Sequence, residues 1–179
     1  NQRQMSKTGT TKWNIDPAHS EISFKVKHMM ISTVTGQFED FMASVETDNE
    51  GFIGADFNFT AKTASITTKN GDRDKHLRSD DFFNAEQFPE LIFTSKSFDG
   101  SSLIGDLTLR DVTKEIKLDV DFNGVVVDPY GQTKAGFEMS GSINRKDFNL
   151  AWSAITETGS IVVSDTVKVA ISVQFIKEN

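Results

Sequence analysis

"KEIKLDVDFNGV", residues 114–125, decides the fold. Ile116, Leu118, Val120 and Phe122 take every second position, with Glu115, Lys117, Asp119 and Asp121 between them. Such alternation gathers the apolar side chains on one face of a β-strand and leaves the other face to water. The pattern recurs outward in both directions. Toward the C-terminus it appears as Ala135, Phe137, Met139 and Ile143, then as Val167, Val169, Ile171, Val173 and Phe175. Toward the N-terminus it appears as Leu103, Gly105, Leu107 and Leu109, as Leu91 and Phe93, and as Ile53, Ala55, Phe57, Phe59 and Ala61. Ile22, Phe24 and Val26 give the first strand. The remaining one slips phase, with Gly36 and Phe38 on even positions and Phe41, Ala43 and Val45 on odd ones. A bulge near Glu39–Asp40 reconciles the two halves.

These are eight strands joined mostly by short polar connections such as "TDNEG", "SFDGSS" and "DPYGQ". Short connections make sequential neighbours antiparallel. Each strand has a single apolar face, so all of them enclose one interior. The expected fold is all-β, an eight-stranded antiparallel up-and-down β-barrel, with a two-sheet sandwich as the alternative. One domain is expected over residues 12–177, preceded by a disordered tail over residues 1–11. Met5 reads as the natural start, with Asn1 to Gln4 a cloning remnant.

The 179 residues carry 19 basic and 26 acidic side chains, a formal net charge of −7. That sign opposes non-specific binding to nucleic acid and to anionic membranes. With no cysteine, disulfides, thiol catalysis and cysteine-based zinc sites are excluded. No segment approaches the ~20 apolar residues of a membrane helix. The opening residues have no apolar signal core, so the cytoplasm is the expected location, or the periplasm where an export signal has been removed. Three histidines without H-x-H or H-E-x-x-H spacing argue for no metal. Neither dinucleotide nor P-loop glycine patterns occur, and no cofactor is expected. Fifteen Phe against one Tyr and two Trp point to a water-free interior, either packed solid or lining a lumen.

"NGDRDKHLRSDDFF", residues 70–83, interrupts the strand pattern. Asn70 is placed to cap a short helix over 71–78, with Asp72 and Asp74 at its positive end. Spacing by four pairs Asp72 with His76 and Asp74 with Arg78. Leu77, Phe82, Phe83 and Phe88 give the segment an apolar side, so residues 70–88 read as a helical plug or lid over one barrel mouth. The enzymatic reading makes Asp72, His76 and Ser79 a hydrolase triad. A capping serine is committed to backbone, though, and no oxyanion hole accompanies it. No catalytic residue is assigned. A second long connection, residues 144–164, carries Arg145.

Together, "WNIDPAHSEISFKVKHMMISTVTGQF", "RDKHLRSDDFFNAEQFPELIFTS", "GDLTLRDVTKEIKLDV" and "AGFEMSGSINRKDFNLAW" resemble, in order, the blocks of the YceI-like family of bacterial proteins. The likeness runs from about Trp13 to Phe175. Asp111 and Asn149 depart from it, each standing where the family often has glycine. The resemblance implies an extended, lipocalin-like barrel, often homodimeric, that binds polyisoprenoids or isoprenoid quinones in its lumen without catalysis. On that reading Phe24, Phe57, Phe59, Phe93, Phe122, Phe137 and Met139 line a tube ~25 Å tall. Arg73, His76, Arg78 and Arg145 are then candidates for a polar head group. No nucleic acid and no stable membrane insertion are expected. The competing reading is a stress-related interaction protein whose barrel is filled.

Overall fold

The computed structural model describes residues 9–150, 152 and 163–179. The expected cloning remnant, the first eight tail residues and most of the 151–162 connection lie outside them. Eleven strand segments form one antiparallel sheet: β1 Thr11–Ile15, β2 Glu21–His28, β3 Ser32–Phe38, β4 Phe41–Thr47, β5 Asp56–Lys62, β6 Ile66–Thr67, β7 Glu90–Phe98, β8 Ser102–Leu109, β9 Val112–Val127, β10 Thr133–Asn144 and β11 Val163–Lys177. The first six segments are halves of three broken strands. β11 pairs with both β1 and β2, β3 lies along β2 while β4 lies along β1, and β6 and β5 follow in the same way. The result is a closed, eight-stranded, up-and-down barrel, which leaves few free strand edges.

Each break has a local cause. Between β1 and β2, Pro17 cannot donate to the ladder, and Asp16 caps a 3₁₀ turn over Pro17–His19. Between β3 and β4 the phase slips where the sequence places it. Glu39 N–H donates to Ser65 O (3.2 Å), and Asp40 N–H donates to Ser65 Oγ (3.0 Å). Phe38 before the bend and Ala43 and Val45 after it all point inward and are buried. Three further irregularities, near Lys96 in β7, at Asn123 in β9 and over residues 164–166 in β11, are not visible in the alternation.

Two boundaries differ from the sequence reading. Thr11 begins β1 and pairs with Thr47, inside the stretch expected to be tail. β5 begins at Asp56, so Ile53 is half exposed and not an inward strand residue. Its neighbour Phe52, on a left-handed turn (φ 63°), is fully buried in its place.

The two departures from glycine both fall on left-handed backbone. Arg110 (φ 49°) and Asp111 (φ 63°) make the two-residue turn between β8 and β9, and Asn149 has φ 62°. Glycine reaches that region without steric cost, while Asp and Asn tolerate it. We expect Asp111→Gly to raise the stability of the barrel by about 0.5–1 kcal/mol, measured by urea unfolding.

Candidate ligand site

The interior is not uniform along the barrel axis. In one half it is solid. Phe52, Phe57, Phe137, Phe175, Leu103, Val45 and Val173 have essentially no exposed surface. Their rings meet edge to face: Phe57 lies 5.4 Å from Phe98 and 5.5 Å from Phe137, and Phe52 lies 5.1 Å from Phe137. Such pairs contribute ~0.5–1.5 kcal/mol each beyond their burial. Phe122 stacks on Phe137 at 4.9 Å, brought opposite it by the bulge in β9.

In the other half the barrel is hollow. A cavity of about 300 Å³ runs from Ile22 and Ile171 toward the end where the β2–β3 hairpin, α1 (Gly71–Arg78) and the β10–β11 connection meet. The boundary falls at the same level on strand after strand. Phe59 lines the cavity and Phe57 does not; Leu118 does and Val120 does not; Ile171 does and Val173 does not. Phe24, Phe38, Phe93, Leu107, Ile143, Val167 and Val169 complete the strand walls, while Leu77, Phe82, Phe83 and Trp152 close over them.

Two glycines help to keep this half open. A Cβ on Gly36 would stand 2.2 Å from Phe24 Cζ, and one on Gly105 would stand 2.6 Å from Phe93 Cζ. Both rings therefore lie flat in recesses of the adjacent strand instead of projecting across the lumen.

The expectation of one Phe-lined tube along the whole barrel is thus corrected. Of the seven candidates, Phe24, Phe59 and Phe93 line the cavity, whereas Phe57, Phe122, Phe137 and Met139 belong to the packed half. All seven face the interior, because strand parity fixes the face. Depth along the barrel separates the two groups.

Polar side chains gather at the mouth. The helix forms as the sequence dictates, with Asn70 Oδ1 accepting from Arg73 N–H (3.1 Å). Its side chains pair differently from the spacing rule. Asp74 is buried and accepts from the backbone N–H (2.7 Å) and hydroxyl of Thr68, not from Arg78. Arg73 donates Nε–H to Thr68 Oγ1 (2.7 Å) and Nη2–H to Thr68 O (2.8 Å). His76 Nε2 lies 2.8 Å from Asp81, not paired with Asp72, and its ring packs edge-on against Phe82 (5.1 Å) and Trp152 (4.9 Å). The Ser79 hydroxyl donates to His76 O at the helix end. Asp72, His76 and Ser79 therefore do not assemble as a triad. Arg73 and His76 reach the cavity lining and Arg78 does not.

Arg145 also reaches the lining, but as a strut. Only 3% exposed, it donates to the carbonyls of Ser164 (2.9 Å), Leu150, Trp152 (2.7 Å) and Val163 (3.3 Å). Burial pulls the guanidinium below the usual arginine range, and Asp165, 3.8 Å away, partly offsets this. Arg145→Met leaves those carbonyls unpaired and is expected to cost about 3–5 kcal/mol in denaturant unfolding. Arg145→Lys should recover little, because one ammonium cannot span the four acceptors.

Sequence reasoning missed Arg110. From the β8–β9 turn its guanidinium donates to Asp80 O (2.6 Å), Phe82 O (2.8 Å) and Asp80 Oδ1 (2.9 Å), pinning the plug across the barrel end. It also missed Lys27, His28 and Thr68 at the mouth. Among the described residues the lining contains Lys27, His28, Arg73, His76 and Arg145 but neither aspartate nor glutamate. Among the described residues, no three His, Asp or Glu side chains gather as a metal site.

A closed antiparallel barrel with an apolar pocket under a helical plug defines a lipocalin-like protein. The family model described as "YceI-like domain" matches residues 13–175, and the chain belongs to that family. It is 39% identical to a UPF0312 protein of Staphylococcus epidermidis over 170 residues, 94% of this chain and 99% of that one. The crystal structure of Campylobacter jejuni YCEI protein is 36% identical, with a TM-score of 0.71 over 86% of this chain and 90% of the other. A polyisoprenoid binding domain from Saccharophagus degradans, implicated in plant cell wall breakdown, has a TM-score of 0.69. It covers 93% of this chain and 98% of its own; at 15% identity it shares the fold.

Proposed function

We propose that this protein is a non-enzymatic carrier of an isoprenoid lipid or isoprenoid quinone. The apolar tail lies in the half-barrel cavity and the head group faces Arg73 and His76. One observation carries this reading: an apolar cavity of about 300 Å³ whose charged side chains gather at one end and, among the described residues, include no acid. Hydrocarbon enters such a space at ~0.8 kcal/mol per buried CH₂. The donors at its mouth suit phosphate or quinone oxygens. The polyisoprenoid-binding neighbour supports the ligand class.

The volume lies at the low end of the ~300–1,000 Å³ typical of ligand pockets. The buried part of the ligand is therefore a short segment, and any longer chain continues out through the mouth. A wholly filled barrel, the competing reading, accounts for the packed half only.

Trp152 lines the mouth while Trp13 is buried in the packed half, so tryptophan emission reports on the site. Titration with farnesyl diphosphate, farnesol and a short-chain quinone should give saturable, one-to-one changes in Trp152 emission, strongest where a tail and an oxygen-rich head are combined. No saturable response to any of the three overturns the proposal.

A further inference from the structure

The β2–β3 hairpin continues the cavity wall beyond the mouth, since Val26, Lys27 and His28 line the cavity and the turn follows directly. Its tip is apolar. Met29 is half buried, Met30 is 63% exposed and Ile31 is 81% exposed. Met29 (φ 51°) and Met30 (φ 60°) both hold left-handed backbone, where asparagine or glycine would be less strained. Large apolar side chains thus stand in water on a backbone that disfavours them.

The outer wall beneath this tip is basic. Across the upper part of β10, β11, β2 and β3 the outward rows are Ser140 and Ser142; Thr166, Lys168 and Ala170; Ser23, Lys25 and Lys27; Thr33 and Thr35. Lys168 pairs directly with Lys25, and the acid of β11, Asp165 beside Thr166, is held by Lys146 (3.3 Å). The other acids of these four strands, Glu138 and Glu21, sit toward the closed end, where Glu138 faces Asp121 and Glu21 faces Ser172. The net charge of −7 is therefore unevenly placed. Fields in salt decay over ~8–10 Å, so a surface meeting the tip feels Lys25, Lys27 and Lys168 more strongly than Glu21 and Glu138 at the closed end.

We propose that this end of the barrel docks on an anionic lipid bilayer. Met30 and Ile31 enter the headgroup boundary, and Lys25, Lys27 and Lys168 meet lipid phosphates. The mouth then opens toward the layer from which an apolar ligand would come. The docking rests on the surface alone and is tested without ligand, so it stands or falls separately from the carrier reading.

The experiment is vesicle flotation of the full chain. Phosphatidylglycerol–phosphatidylcholine vesicles are compared with pure phosphatidylcholine at low salt and at about 0.1 M salt, where the Debye length is ~10 Å. Binding to the anionic vesicles is expected, weakened by salt and near zero on the neutral ones. Lys25→Gln and Lys168→Gln should each weaken it about fivefold. Met30→Ser/Ile31→Ser should weaken it more than tenfold while leaving the Trp152 titration unchanged. Absence of binding to anionic vesicles overturns the proposal, as does binding indifferent to the tip substitutions. A dimer in sedimentation that the tip substitutions dissociate, without vesicle binding, assigns the tip to a second copy of the chain and overturns it too.

Discussion

Phe137→Ala is expected to destabilise the protein by about 3–5 kcal/mol, and Phe24→Ala by less than about 2 kcal/mol. Both remove a phenyl ring that strand parity turns inward. Phe137 is 1% exposed and touched by the rings of Phe52, Phe57, Phe122 and Phe175, so its loss leaves a void that rigid neighbours cannot close. Phe24 is half buried and borders space that is already empty, so its removal widens an existing cavity and forfeits mainly its own transfer energy. Urea unfolding of the two variants measures the difference. Equal losses would mean that the barrel is packed, or hollow, along its whole length.

The converse substitution separates the halves by function. Val169 and Val173 lie four residues apart on the same face of β11, one lining the cavity and the other on the packed side of the boundary. In Val169→Trp the indole has room to enter the lumen. Stability should change by less than about 1 kcal/mol while ligand affinity falls at least a hundredfold, since the indole takes the space of several buried CH₂ groups at ~0.8 kcal/mol each. In Val173→Trp the same side chain has no space, and overpacking should cost about 1–3 kcal/mol or more. Paired thermal melts and Trp152-independent ligand binding, by extraction or calorimetry, read both outcomes. A Val169→Trp variant that binds normally would remove the cavity as the ligand site.

The division between halves also marks how far the sequence could be read. Alternation decided which side chains face inward, because the two-residue period of a strand depends only on backbone geometry. It predicted the barrel, the phase slip at Glu39–Asp40, and an interior position for all seven lining candidates. It could not decide depth. Phe57 and Phe59 are equivalent by parity, and one seals the floor while the other lines the cavity. That distinction arises from neighbours across the sheet: Gly36 beneath Phe24, Gly105 beneath Phe93, and the bulge that stacks Phe122 on Phe137. β1 escaped notice because its alternating stretch is only five residues long, ending before Pro17.

The plug shows the same limit. Helix 71–78 was legible in its Asn70 cap and first-turn acids, which act locally. Its ion pairs were not, because spacing by four gives proximity on an isolated helix and tertiary partners compete for the same groups. Thr68 takes Asp74 and Asp81 takes His76. Arg110 lies 28 residues from Phe82, and only the closed barrel brings its turn under the plug.

Native mass spectrometry of protein purified without detergent asks whether the open apolar half-barrel takes up an isoprenoid ligand. The expected result is a discrete adduct of several hundred daltons that extracts into organic solvent as a prenyl lipid or quinone, and that Val169→Trp lacks. A bare mass that stays bare after incubation with quinones and prenyl phosphates would contradict it.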